Sequence, residues 1–342
     1  MLTDVCVYES RMPVNLSLVP YSEAVRESYL TLLPEQEREI GRGKLEWKLR
    51  DSPGGTGSVA IATLDGETIG MNAFMPSRFR LGGEDVRAYQ SMDTIVTPAA
   101  RGKGVFGSMI NCFYEGTDAS LIYGFPNLNS SPGFFGKLGW KHFGAVPMLV
   151  RPLRTGFFFR RIAKFLPDVP LPTLARASRD HEFVDRFDDR ATALWRRFSV
   201  NIGCAVERDA DYLNWRLADH PSEHYTLARR GDEALAAWTV VNKHDARIGY
   251  LLEALGTETR ALAPLIAASL KDMRKAGAEL AFAWCLPGSP NYRAHRRAGF
   301  FPLPVKVRPI VINFGARALN ASPAAVEDPR SWYVSYLDSD TV

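Results

Sequence analysis

The chain contains one stretch twice. LEWKLRDSP at Leu45–Pro53 matches LNWRLADHP at Leu213–Pro221. Leu45/Leu213, Trp47/Trp215, Leu49/Leu217, Asp51/Asp219 and Pro53/Pro221 are identical at one fixed offset, and Lys48/Arg216 keeps the cation. The segments after the two copies also correspond. Val59–Leu64, an Asp65-Gly66 turn and Thr68–Met75 read as a hairpin after the first. Tyr225–Ala228 and Ala234–Val241 come after the second. A strand, a helix, a strand and a short helix are then found in both halves: Tyr89–Val96, a helix from Val105, Ser120–Phe125 and a helix through Leu138, against Ile248–Leu255, Thr259–Arg274, Leu280–Trp284 and Asn291–Phe300. Kept order and spacing argue for a duplicated domain. With 342 residues the chain is long enough for two domains of roughly 100–200 residues each. The expected division is residues 1–150, a linker at 151–179 carrying Pro152, Pro167, Pro170 and Pro172, and a second domain at 180–342. Asn15–Val19 opens the first domain and Val146–Val150 is expected to close its sheet.

The copies differ at one turn. In the first, Pro98 stops the strand because it cannot donate to a sheet ladder. Arg101-Gly102-Lys103-Gly104 then opens a helix whose Val105, Phe106, Met109, Ile110 and Phe113 share one face. First-turn amides have no acceptor inside a helix, glycine lets an anion approach the backbone, and the two cations add charge. That combination suits a diphosphate, although an ordinary surface turn can look the same. In the second copy GTETRALAPLI comes after Leu255, and Glu258 stands where a diphosphate needs a cation.

TIVTPAARGKGVFGSMI resembles the acyl-CoA loop of GCN5-related N-acetyltransferases (GNATs), [QR]-x-x-G-x-[GA] after a strand ending in V-x-P. Arg101 and Gly104 match; Phe106 replaces the usual Gly or Ala. FFGKLGW (Phe134–Trp140) resembles the family's closing Y-x-K-x-G-F, with Phe135 in place of the tyrosine credited with protonating the leaving thiolate. GFPNLNSS (Gly124–Ser131) is similar to a subgroup that acylates amino groups on nucleotide-linked sugars. The resemblance implies an α/β fold of two tandem GNAT-like domains, each a mixed, mostly antiparallel sheet flanked by helices. It implies acetyl-CoA or another acyl-CoA as co-substrate, bound by the first domain through Ile95, Val96, Thr97, Arg101, Gly102, Lys103, Gly104, Val105, Phe106, Asn129, Ser130 and Phe135. The reaction implied is attack of a neutral amine on a thioester. The second domain would shape the acceptor pocket, a dimer contact, or both. Aminoacyl transfer of the peptidoglycan-bridge type also uses twin GNAT-like domains, but takes aminoacyl-tRNA and needs no CoA loop. An acyl-CoA-sensing module is the non-catalytic alternative.

The amine must lose a proton, which calls for a carboxylate, a histidine or a water chain. Asp93 is the first candidate base, set against an ion pair or cap. Asn127 and Asn129 come after the next strand, where acceptor and thioester would meet; they are set against turn-forming asparagines. Glu253 on the corresponding strand of the second copy reads better as a salt bridge. His295, at the tyrosine position of the second copy, could act as acid or base only if the domains face each other. Otherwise it is a surface histidine beside Arg293, Arg296 and Arg297, a cluster that could instead hold an acidic acceptor.

Net charge of +4 gives no case for nucleic acid. Cys6, Cys112, Cys204 and Cys285 lack metal-binding spacing and read as reduced thiols in a cytoplasm. Pro221 breaks the helix that would align His220 with His224, so no metal is expected. No signal peptide and no run of 18 apolar residues is present. RTGFFFRRIAKFL (Arg154–Leu166) could touch a membrane surface, but burial of its aromatics between domains is the expected role.

Overall fold

Asp65 and Gly66 both adopt positive φ, 52° and 85°, as a two-residue hairpin requires. The computed structural model describes residues 13–156, 168–243, 246–308 and 310–339, and these fall into two units. One holds the chain up to Gly144 together with Ile312–Pro329; the other holds Ala145–Val311 and the chain from Arg330.

In chain order the elements are β1 (Asn15–Pro20), α1 (Glu23–Thr31), α2 (Arg38–Leu49), β2 (Ser58–Leu64), β3 (Glu67–Leu81), β4 (Glu84–Val96), α3 (Val105–Gly116), β5 (Leu121–Gly124), α4 (Ser131–Gly136), β6 (Lys141–Ala145) and β7 (Met148–Pro152). Then come β8 (Glu182–Val184), α5 (Asp189–Phe198), β9 (Cys204–Val206), α6 (Ala210–Leu213) running into a π-turn at Asn214–Ala218, β10 (Thr226–Arg230), β11 (Ala234–Lys243), β12 (Ala246–Gly256), α7 (Thr259–Lys275), β13 (Leu280–Trp284), α8 (Tyr292–Ala298), β14 (Phe301–Pro302), β15 (Asn313–Ala318) and α9 (Pro323–Val326).

The sheet of the first unit runs β1-β2-β3-β4-β5-β15-β6, and that of the second runs β8-β10-β11-β12-β13-β7-β14. Position for position these are the same order. The pairs β4/β5 and β12/β13 are parallel; the neighbours β1/β2, β2/β3, β3/β4 and β10/β11, β11/β12 are antiparallel. Both sheets are therefore mixed and mostly antiparallel, as expected. The closing strand is not as expected. Met148–Pro152 pairs with β13 and β14 of the second sheet, while the first sheet receives β15 beside β5. A five-residue apolar strand carries no address, and edge pairing accepts whichever strand the chain delivers. The stretch 154–166 lies, from Phe157 on, outside the described residues.

The predicted apolar stripe of α3 packs on its own sheet. Val105, Met109, Ile110 and Phe113 are buried against Phe74, Tyr89 and Ile122; the Phe74 and Phe113 rings stack at 3.9 Å. Each such side chain contributes about 1.5–3 kcal/mol. In the second unit α7 does the same, with Leu262, Leu265, Ile266, Leu270 and Met273 against Trp238 and Leu251.

The repeat itself forms a buried helical segment in each unit. Leu45, Trp47 and Leu49, like Leu213, Trp215 and Leu217, are in the core, and so are the cations Lys48 and Arg216. Arg216 donates to the carbonyls of Leu337 (2.9 Å) and Ser339. These carbonyls belong to a tail that enters the core of the second unit. Arg208, fully buried, donates to Glu253 Oε2 (3.2 Å), Asp338 Oδ2 (2.5 Å) and the Val206 carbonyl (2.8 Å). Glu253 also accepts from Tyr333 Oη and from Ser335 Oγ (2.8 Å). The expected salt bridge at Glu253 thus exists, as one corner of a buried network.

Candidate acyl-CoA site

The site is built where β4 loses a neighbour. β5 pairs with β4 only at Ala88, Tyr89 and Gln90. From Ser91 to Val96, β4 keeps β3 on one side and has no strand on the other among the described residues. An edge of this kind offers backbone donors and acceptors to an extended ligand.

The free stretch also carries a bulge. The register passes from Met71/Ile95 to Ala73/Met92, so three steps on β4 oppose two on β3. Asp93 absorbs the extra residue at φ 47°, a left-handed conformation that Asp tolerates better than most side chains. Two partners hold it. Tyr29 Oη donates to the Asp93 carbonyl (3.0 Å), and Lys48 Nζ donates to Asp93 Oδ2 (2.9 Å). Lys48 is 5% exposed and Asp93 25%. On β3, fully buried Asn72 accepts from Thr94 Oγ1 and donates to Ser91 Oγ (3.3 Å). Sequence reasoning missed Tyr29, Asn72 and Lys48. Lys48 left a signal, a cation between Trp47 and Leu49 inside the repeat.

Past Val96 the turn forms as its residues suggest. Thr97 is anchored through its amide to the Ile69 carbonyl (2.9 Å), and Pro98–Ala100 make a single 3-10 turn. Gly102 and Gly104 take φ 74° and 89°, and Gly104 caps α3 with no side chain. A β-carbon at either position would strain the backbone. The Val105, Phe106 and Gly107 amides begin the helix and have no acceptor within it. Arg101 Nε donates to the Val96 carbonyl (3.2 Å), tying the guanidinium across the mouth of the turn. Arg101, Gly102, Lys103 and Gly104 are all exposed. Phe106 turns away from this anion cradle. Its ring meets Phe134 edge-on at 5.0 Å and fills the space that a β-carbon on Gly133 would need, 2.7 Å from Phe106 Cε1.

Other expected residues sit elsewhere. Asn127 Oδ1 accepts from the amides of Asn129 (2.9 Å) and Ser130 (3.1 Å), so this run is an Asx turn leading into α4, the turn-forming role set against a catalytic one. Phe135 stacks on His142 at 4.1 Å and packs against Gly315 of β15. His295 corrects both of its readings. It is 2% exposed, with Nδ1 bonded to the Asn291 carbonyl (2.9 Å) and its ring against Phe300. It is neither a surface group nor open to a substrate. Burial pushes its pKa down to about 4. The unfolded chain binds this proton more readily, so the contribution of neutral His295 is complete above about pH 6.5 and is lost as pH falls toward 4, by about 3 kcal/mol. A His295→Gln variant should flatten the acid limb of urea-derived stability between pH 6.5 and 4; an unchanged limb would assign that loss to other groups.

The second unit contains the same parting of strands, but filled. β12 bulges between Ala237/Glu253 and Trp238/Leu251 and pairs with β13 only as far as Leu251. Beyond that, Asn291 Nδ2 occupies the Ala254 carbonyl (2.8 Å), and Tyr333 and Ser335 occupy Glu253. The Tyr336 ring stacks on Trp284 of β13 (4.4 Å) and meets Tyr250 of β12 edge-on (5.4 Å). The tail closes the slot that the first unit leaves open.

Residues 31–143 match the family model described as acetyltransferase (GNAT) domain. This segment is similar to a GNAT domain. It runs from the end of α1 to β6 and includes the bulge, the free edge and the turn. Among curated proteins no sequence matches the chain significantly. Solved structures share the fold over most of the chain. N-myristoyltransferase from Saccharomyces cerevisiae with bound myristoyl-CoA is 14% identical, with 97% of this chain and 90% of that one covered and a TM-score of 0.58. A GCN5-related N-acetyltransferase from Kribbella flavida is 14% identical, covering 90% and 72%, at 0.59. Eis1 from Mycobacterium abscessus is 14% identical, covering 90% and 73%, at 0.53. The chain thus shares the fold of these proteins, and its residues 31–143 are similar to an acetyltransferase (GNAT) domain. Among the described residues no helix is long and apolar enough to cross a membrane, and no three His, Cys, Asp or Glu side chains gather as metal ligands would.

Proposed function

We propose that the chain transfers an acyl group from acyl-CoA to a primary amine of a small molecule, and that the first unit holds the acyl-CoA. The observation that carries this reading is the free β4 edge, Ser91–Val96, leading straight into a glycine-capped, cationic helix start. Pantetheine would lie along that edge as an added strand. The diphosphate would rest on the Arg101–Gly104 turn and the first amides of α3. A backbone N–H at Ile95 or Val96 would polarise the thioester carbonyl. The amine nitrogen attacks that carbon, the C–N bond forms, the C–S bond breaks, and the amine proton passes to a base or water while CoA leaves as thiolate. Of the three catalytic candidates, only Asp93 stands on the free stretch. Its pairing with Lys48 gives it a second role, fixing the bulge. The second unit, its slot closed by the tail, would serve the acceptor or an assembly contact. The shared strand order and the repeat support a tandem arrangement. An amino sugar on a nucleotide carrier is the acceptor class that GFPNLNSS favours.

Thiol release tests the reading. Acetyl- and longer acyl-CoAs incubated with a panel of amines should liberate free CoA only when protein and a suitable amine are both present. Coenzyme binding without turnover across the panel would favour a sensor instead.

A further inference from the structure

The second unit has a cavity of about 730 Å³ between the β12–α7 turn and the β13–α8 turn. Its wall includes Arg260 in the first turn of α7, and Arg293 and Arg297, one turn apart on α8. Among the described residues none of these guanidinium groups has a hydrogen bond or an ion pair, although most arginines of this unit do. Ser289 also lines the cavity. It is 8% exposed, and its hydroxyl has no hydrogen-bond partner of sound geometry; the nearby Cys285 thiol is engaged by Asn291 Oδ1 (3.3 Å). A buried hydroxyl without a partner is unfavourable unless a polar group arrives, and three solvated cations lining the same space give it a positive field that favours an anion.

We propose that this cavity binds the diphosphate of a nucleotide. Three guanidinium forks on two helices exceed what one carboxylate can satisfy, whereas two linked phosphates present enough oxygens. The first amides of α7 point the same way. The volume is that of a small-ligand site, and Tyr292 with Pro287 and Pro290 supplies apolar wall for a base. The adjoining slot between β12 and β13 is occupied by Tyr333, Ser335 and Tyr336, so the ligand has no extended arm running into the sheet. Glu258 is the one carboxylate of the lining and opposes the anion, leaving the arginines two charges ahead. The site is separate from the Arg101 turn and does not depend on acyl-CoA binding there.

Calorimetric titration with ADP and with inorganic pyrophosphate tests this. ADP should bind the wild-type chain, and more tightly than pyrophosphate. An Arg293→Glu/Arg297→Glu double variant should bind ADP at least about tenfold more weakly. Arg101→Glu should keep this ADP site, and Glu258→Gln should tighten it. Unchanged melting of the exposed-site variants establishes that folding is not the cause. No ADP binding to the wild type, or ADP binding lost with Arg101→Glu and kept in the double variant, would overturn the assignment.

Discussion

Arg208→Ala is expected to destabilise the second unit by about 3–5 kcal/mol. Arg208 is fully buried between Glu253 and Asp338. Burial works against its charge, yet Asp338 and Glu253 hold it above the ordinary arginine range. Burial likewise pushes the Asp338 carboxyl up, and Arg208 restrains it. Deleting the guanidinium leaves two carboxyl groups in the core with hydroxyl and amide donors but no cation. Glu253 and Asp338 also anchor Ser335, so the tail loses its hold on β12. For a unit of this size the loss corresponds to roughly 10 °C in Tm, read by scanning calorimetry as a shift of the transition to which the second unit contributes. A triple change, Arg208→Met with Glu253→Gln and Asp338→Asn, should restore part of it, because the neutral set no longer buries an unpaired charge. A single variant within about 1 kcal/mol of wild type would mean that water reaches the network.

Arg101→Glu is expected to weaken coenzyme binding about 100-fold, close to 2.7 kcal/mol. The substitution removes the bond to the Val96 carbonyl, deletes a charge-assisted contact to a phosphate and introduces repulsion. Lys103 remains, so the loss should lie in affinity and not in folding; Arg101 is exposed. Calorimetry with CoA reads it directly. Arg101→Lys should recover part of the affinity, since it restores charge but not the bond geometry. Equal affinity in wild type and Arg101→Glu would remove the turn from the site.

The turn, the hairpins and the repeat were legible because each is encoded locally. Gly102 and Gly104 announce positive φ, Asp65-Gly66 announces a two-residue loop, and Leu-x-Trp-x-Leu announces one buried helical face. What was hidden depends on partners far along the chain. Val146–Val150 reads as a closing strand for any sheet, and only pairing with β13 or β5 decides which. The bulge at Asp93 reflects a register that β3 and β4 set together. His295 lies among arginines in sequence, but α8 turns that face inward against Phe300 while Arg293, Arg296 and Arg297 face out. The tail was illegible for a related reason. Trp332, Tyr333, Tyr336 and Leu337 look like a modest apolar cluster, and their role appears only with Arg208, Glu253 and the parting of β12 from β13 around them.

The most direct test is a structure of the chain with a non-transferable acyl-CoA thioether. The expected result is pantetheine alongside Ser91–Val96, the diphosphate on Arg101–Gly104, and the slot between β12 and β13 still held by Tyr336. Coenzyme lying between β12 and β13 with the tail expelled, or absent from the β4 edge, would contradict it.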